Sequence, residues 1–170
     1  GMETADPAVV AANNLKANAG EVFRAVEIVN EVGGMRRDNV PELLPGLNFV
    51  CGLAGETEWT YELNEQFLAR VLEAGLMVRR VNIRQVMPFE GTRAYTANTL
   101  GKHDRRFKQF KEFVRSRIDL PMLQRVFPAG TVLRDVRVEV EGDLSFGRQP
   151  GSYPILVGIP LRLPVRTVSD

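Results

Sequence analysis

The chain has 170 residues, 44% of them hydrophobic and 25% charged. That is enough apolar material for an ordinary soluble core and excludes a disordered chain. Lysine and arginine (22) nearly balance aspartate and glutamate (21), a net charge of +1, so the global balance demands no polyanionic partner. One cysteine, Cys51, and one histidine, His103, exclude an internal disulfide, a Cys/His zinc cluster and a self-contained iron–sulfur cluster, which needs several thiolates.

In chain order, "DPAVVAANNL" predicts a short helix, with Asp6 as its cap and Pro7 in its first turn. "EVFRAVEIVNEVG" predicts a second, with Val22, Phe23, Val26 and Val29 on its apolar stripe and Gly33 as its stop. After the loop "MRRDNVPELLPG", Leu47 to Cys51 is a nearly continuous apolar run, as expected of a strand covered on both faces. Thr57 suits the cap of the next helix and Glu58 its positive end. Leu63, Phe67 and Val71 mark its buried face, widened by Leu68 and Leu72, and Gly75 ends it. "MVRRVNIRQVM" predicts a second strand, with Val81 and Ile83 on one side and Arg80, Asn82 and Arg84 on the other.

Helix–strand–helix–strand order is the pattern of parallel βα units. A central strand of an open doubly wound sheet is apolar on both faces, whereas the second strand here is polar on one. The expectation is therefore α/β: a parallel (β/α) barrel or half-barrel with a polar lumen, which the family resemblance given below narrows to the C-terminal part of a parallel (β/α) partial barrel, followed by a small antiparallel β module. Ligands in such folds sit at the carboxyl ends of strands, where Gly52–Thr57 and Met87–Thr92 fall. A helix is expected from about Asp104 to Ile118, with Phe107, Phe110, Val114 and Ile118 at helical spacing, and composition shifts at Leu120-Pro121. "TVLRDVRVEVEGDLSF" alternates, placing Val132, Val136, Val138 and Val140 on one face before a Glu141-Gly142-Asp143 turn. "YPILVGIPLRLPV" adds one or two short strands. The expected division is residues 1–120 and 121–170.

Two readings stand side by side at each candidate site. Gly52 and Gly55 read as a plain tight βα turn, or as backbone brought close to a ligand at a helix N-terminus. No dinucleotide or P-loop fingerprint accompanies them, and Glu56 and Glu58 would repel phosphate. Arg80, Asn82 and Arg84 read as ion-paired lumen residues or as contacts to a polar ligand. Cys51 reads as a buried inert thiol, since no base accompanies it, and His103 as a surface residue. The basic residues between Lys102 and Arg117 read as a solvated face or as contacts to a nucleic-acid backbone.

These segments also resemble a known family. "GLAGET" resembles the GLPGET-type element that follows the fifth strand of radical SAM (S-adenosylmethionine) enzymes. "NIRQVMPFEGTRAY" resembles their sixth-strand region with its P-x-x-G-T element, and "GMETADP" the G-x-E-S-A-D element near the fourth strand. "GTVLRDVRVEVEGDLSFGRQPGSYPILVGIP" is similar to a TRAM (OB-like) module appended to several such proteins.

The resemblance implies a (β/α)6 partial barrel and a parent enzyme using S-adenosyl-L-methionine and a [4Fe-4S] cluster. Such a cluster is bound by a CxxxCxxC loop and cleaves SAM reductively to a radical. It implies Glu3 and Thr4 near the ribose or amino-acid end of SAM, Val50, Gly52 and Gly55 beside the adenine, and Arg84 in the lumen. This chain has no CxxxCxxC. It is therefore expected to be the C-terminal portion of a radical SAM oxidoreductase-like enzyme, with no metal ligands of its own and inactive alone. The expected partners are a missing N-terminal segment, a second copy meeting an exposed barrel edge, or RNA on the basic helix and TRAM-like module. No apolar run nears a membrane span or resembles a signal peptide, so a cytoplasmic location is expected.

Overall fold

In the computed structural model, which describes residues 2–37, 39–97, 99–150 and 154–169, the local signals at the start of the chain are met. The Asp6 carboxylate accepts from Ala8 N, Pro7 takes the first helical position, and α1 runs Pro7–Ala12. Asn18 and Glu21 form a reciprocal capping box that opens α2, Ala19–Gly33. Two-residue strands β1 (Arg36–Arg37) and β2 (Val40–Pro41) pair antiparallel across the following loop.

β3 (Gly46–Cys51) follows, then α3 (Glu58–Glu73) and β4 (Arg80–Gln85). The two strands run parallel, with Asn48 beside Asn82 and Val50 beside Arg84. On β4, Val81 and Ile83 pack against the core and Arg80 and Arg84 are exposed, while Asn82 between them is half-buried. β3 corrects its expectation, because it too alternates: Leu47, Phe49 and Cys51 are buried, whereas Gly46 and Asn48 are exposed. Among the described residues, helices pack on the Leu47, Phe49 and Cys51 face of the pair, and Asn48 lies on the other.

After β4 the chain forms α4 (Arg93–Ala97), then α5 (Asp104–Phe113), a π-helical stretch Val114–Asp119 and α6 (Leu120–Val126). The helix thus runs on past Ile118, where an end was expected. Pro121 does not break it, because the π-helical turn directly before it widens the backbone where the proline ring would otherwise crowd the preceding turn. Val114, Ile118, Met122 and Val126 are all buried. Four-residue steps on an α-helix drift by about 40° each. The wider π turn offsets that drift and keeps the stripe on the core.

That core joins Leu47, Phe49 and Cys51 to Tyr61, Phe67, Leu68 and Val71 of α3 and to Phe110, Val114 and Ile118. Phe49 and Phe110 meet edge to face at 5.6 Å. Polar side chains close the helix ends. Arg125 donates to the carbonyls of Leu72 and Leu76 at 2.9 and 3.0 Å, and Arg36 donates to those of Arg125 and Val126.

The partial barrel does not form. The parallel sheet has two strands, and closing a sheet on itself takes more strands, each paired on both sides. Beside β3 lies the non-strand segment Met2–Thr4, attached through one ladder bond from Val50 N to Glu3 O at 2.9 Å. The architecture is mixed α/β with small separate sheets.

The chain divides into two units, Gly1–Ala129 and Gly130–Asp170. The second is a four-stranded antiparallel sheet of β5 (Val136–Val140), β6 (Ser145–Arg148), β7 (Val157–Ile159) and β8 (Val168–Ser169), ordered β7-β6-β5-β8. Val136 and Val138 are buried, but Val132 and Val140 are exposed. Val132 precedes the strand, and the register shifts between Val138 and Val140, so the expected one-faced valine row is broken at both ends.

Candidate functional site

The carboxyl end of β3 runs into Gly52, at φ +89°, and Gly55, at φ +82°. This is left-handed backbone that glycine adopts without penalty. A Cβ on Gly52 would meet Val86 at 3.7 Å, and one on Gly55 would meet Ala12 at 3.6 Å. Both are ordinary contacts, so the turn's dihedrals require these glycines and crowding does not.

The loop is pinned from four directions. The buried Glu56 carboxylate accepts from Gly52 N and from the Tyr61 hydroxyl, each at 2.7 Å. The Asn13 side-chain amide pairs with both backbone groups of Ala54, at 2.8 and 3.2 Å. The Thr99 hydroxyl donates to the Gly52 carbonyl. His103 Nε2 lies 3.2 Å from the Glu56 carbonyl, to which only an Nε2–H can donate. His103 is therefore half-buried against the loop, a correction to its reading as a surface residue.

A second network ties the N-terminal segment to α3. Asp6 accepts from the Thr60 hydroxyl at 2.6 Å. Asn64 Oδ1 accepts from Ala5 N at 2.7 Å and from the Thr4 hydroxyl at 3.2 Å. Every member of this set is buried, so each bond also avoids a desolvated, unpaired group.

Burial, and secondarily the Glu56 charge, push the Cys51 thiol up to about 12. Burial and the bond to Glu56 raise the Tyr61 hydroxyl as well. At neutral pH the only cysteine is a protonated, buried thiol, unsuited to nucleophilic attack or to ligating iron. Among the described residues, no three His, Cys, Asp or Glu side chains gather where they could hold a metal ion, and no helix is long and apolar enough to cross a membrane.

Of the residues singled out by sequence, the structure brings Glu3, Val50 and Arg84 into one row across three neighbouring backbone segments. Glu3 O receives Val50 N, and Val50 stands in register with Arg84. Glu3 is half-exposed between the buried Met2 and Thr4. Gly52 lies two residues beyond Val50. Thr4 is withdrawn into the core network, and Gly55 sits against α1. On the open face of the β3–β4 pair, Asn82 Nδ2 donates to Asn48 Oδ1 at 2.7 Å. Arg80 and Arg84 flank that amide pair, both exposed.

Sequence reasoning missed Glu56, Tyr61, Asn13 and Thr99. The signal for Glu56 was its place directly after a glycine turn and before a helix cap. A carboxylate there can fold back on the turn's own N–H groups, as it does here.

No family model matches the chain. It is 51% identical over 165 residues to an uncharacterised protein of Methanocaldococcus jannaschii, covering 94% of this chain and 30% of that protein. It is 47% identical over 167 residues to an uncharacterised protein of Archaeoglobus fulgidus, covering 96% of this chain and 32% of that protein. The chain thus spans about a third of the length of the curated relatives it matches.

Proposed function

We propose that the chain is the SAM- and substrate-facing portion of a radical SAM iron–sulfur enzyme of the cytosol. In this reading the cluster is supplied by a part of the longer relatives outside the matched region. The observation that carries the reading is the convergence of the three resembling segments. "GMETADP", "LNFVCGLAGET" and "NIRQVMP" lie side by side through the Glu3–Val50 bond and the Val50–Arg84 register, although they are far apart in sequence.

The residues fit one of the two groups the family uses and not the other. Glu3 and Arg84 carry opposite charges on the two sides of Val50, which suits the zwitterionic amino-acid end of SAM. Val50, half-exposed, offers apolar surface for the rest of the molecule, and Gly52 lets the strand turn away just beyond it. Thr4 does not fit, because its hydroxyl is spent on Asn64 and its side chain is buried. Gly55 does not fit either, since it faces α1. An iron–sulfur cluster does not fit within this chain, whose single thiol is buried and protonated.

In this reading Glu3 and Arg84 bind and orient the cofactor, and the pinned Gly52–Glu56 loop holds the strand end still while they do so. The remainder of the relatives' chain would then pair on the far side of Met2–Thr4, and a second copy on the edge of β4.

Calorimetric titration of the 170-residue protein with SAM tests the reading. Saturable binding is expected, weakened about tenfold or more by Arg84→Gln, the loss of one charge-assisted contact. Absence of binding, or stoichiometric iron and sulfide in the purified chain, refutes it.

RNA binding by the second unit is an alternative supported by one feature. Arg137 stands directly opposite Arg148 across β5 and β6, and because Arg148 is already paired with Glu139, Arg137 is the cation there that a phosphate would meet. Phe146 lies two residues from Arg148, on the same face. Salt-sensitive retardation of tRNA, lost in Arg137→Gln, would favour this reading; no retardation at low salt removes it.

A further inference from the structure

We infer that the open face of β3 and β4 takes an anionic group, a carboxylate or a phosphate, beside Arg80, and that the substrate this face meets is therefore an acid. The assignment of this face to a substrate rests on the radical SAM reading.

Gly46, Asn48 and Val50 alternate with buried residues along β3 and stand in register with Arg80, Asn82 and Arg84. Same-face neighbours along a strand are about 6.6 Å apart, so the three pairs form one continuous polar strip. At its centre the Asn82–Asn48 hydrogen bond uses one amide proton and one carbonyl. The Asn48 NH2 group and the Asn82 carbonyl are left for a ligand.

Among the described residues, neither Arg80 nor Arg84 makes an ion pair or a side-chain hydrogen bond. Several other arginines of this unit are engaged, Arg36 and Arg125 on helix carbonyls, Arg24, Arg37 and Arg106 on carboxylates, and Arg70 over Phe23. Among the described residues Arg93, Arg105 and Arg117 are not, but none of them lies on this strip. The acidic residue bordering the strip is Glu3, which lies beyond β3 next to Val50. That is the Arg84 end, opposite to Arg80.

Gly46 supplies the second observation. Its φ is not positive, and a Cβ there would touch nothing closer than the Arg80 carbonyl at 3.8 Å. Neither conformation nor crowding requires a glycine in the strand. Its effect is to leave open the place beside the Arg80 guanidinium, bounded on the next pair by the free amide of Asn48. A planar anion seated there would face the guanidinium fork and one NH2 donor, the donor set that recognises carboxylate or phosphate.

The test is a nuclear magnetic resonance titration of the 170-residue protein with inorganic phosphate and, separately, with succinate. Each runs against sodium chloride at constant ionic strength, following the backbone amides of Gly46, Asn48 and Asn82. Saturable shifts with at least one anion are expected, and the tighter of the two tells a phosphorylated ligand from a carboxylic one. Arg80→Gln should weaken binding about tenfold or more, and Arg105→Gln, on α5, should leave it unchanged. Gly46→Val should abolish binding while the thermal midpoint stays at or above the parent's, since valine is the better strand residue.

Unsaturable shifts with both anions, or equal affinity in Arg80→Gln, overturn the proposal. A parallel SAM titration separates the two readings. SAM binding without anion binding sinks the acidic substrate and leaves the cofactor reading standing. Anion binding without SAM binding does the reverse.

Discussion

Two loops leave the carboxyl ends of the parallel strands, and they are built in opposite ways. Each carries a glycine at positive φ, Gly52 and Gly55 in the first and Gly91 in the second, and each leads through a threonine into a helix. The first loop is tied to α1, to α3 and to the segment before α5 by Asn13, Tyr61, Thr99 and His103, around a carboxylate that is 5% exposed. The second is held by its own short-range bonds, the Thr92 hydroxyl donating to Phe89 O and accepting from Tyr95 N. Its Met87 and Phe89 are 69% and 67% exposed. The same position in the fold thus yields a rigid lip on one strand and an apolar, uncovered one on the other. The variable that separates them is a buried acid with its donors in place, and the glycines do not separate them.

The largest expected effect breaks that acid. Glu56→Ala leaves Gly52 N and the Tyr61 hydroxyl desolvated without an acceptor, which should cost about 3 kcal/mol or more in urea unfolding. Glu56→Gln keeps the volume but turns an NH2 group toward one of two donors, and should fall between Glu56→Ala and the parent. The counterpart in the second loop, Glu90→Ala, removes an exposed side chain and should stay within about 0.5 kcal/mol. If the two alanine variants cost the same, the contrast between the loops is wrong.

Next comes Asn13→Ala, which removes the pair of bonds to Ala54 from outside the loop and should cost about 2 kcal/mol. Thr92→Ala, which removes a cap on a five-residue exposed helix, should cost about 0.5–1 kcal/mol. Backbone amide exchange at Ala54 should quicken in Asn13→Ala and in Glu56→Ala. At Phe89 it should be quick in the parent already.

Much of this contrast was hidden in the sequence, for identifiable reasons. The parallel β3–β4 pair was legible because Arg80, Asn82 and Arg84 alternate with Val81 and Ile83, and because Thr57 and Gly75 bracket a helix between strands. The barrel expectation went further than the residues carry. A polar strand face is equally consistent with an open sheet covered on one side, and Asn48, read within an apolar run, already marked that side. The composition shift at Leu120-Pro121 marks no boundary in the helix, because the π turn before Pro121 lets the helix continue. The burial of Thr4 and Asp6 depends on partners 60 and 54 residues away, Asn64 and Thr60, and no local pattern encodes such a pairing. Glu3, Val50 and Arg84 were each chosen by resemblance. Their lying in a single row is information only the fold supplies.

The alkaline response reaches the same loop by a different route. Cys51 and Tyr61 both have raised folded values. Each therefore contributes stability that is fully present below its unfolded value and is lost as pH rises toward the folded one. The window opens near pH 9, the ordinary thiol range, with Tyr61 adding to it from about pH 10. By pH 10 the Cys51 contribution should have cost about 1.4 kcal/mol, one unit of linkage. Thermal midpoints between pH 7 and pH 11 should fall, and Cys51→Ala should flatten the first part of the fall while leaving the later part. A parent midpoint that stays level to pH 10 would mean the thiol is not buried at the strand end as described.

The smallest effect is the sharpest comparison of all, because it applies the same chemistry to both loops. Gly52→Ala and Gly91→Ala each place a Cβ on backbone of nearly equal left-handed φ, +89° and +82°, and the intrinsic penalty for that is about 1 kcal/mol. Neither Cβ would clash, since nothing lies within 4 Å at Gly91 and the nearest atom at Gly52 is 3.7 Å away. In the first loop the dihedrals are over-determined by Glu56 and Thr99, so the full penalty should appear in the unfolding free energy. In the second loop no hydrogen bond among the described residues ties Gly91 to another element, and the turn can relax to a conformation alanine accepts, so the cost should drop below about 0.5 kcal/mol. Equal costs would show that the second loop is held as firmly as the first. The exposed Met87 and Phe89 would then be presented in a fixed arrangement, as part of a preformed surface.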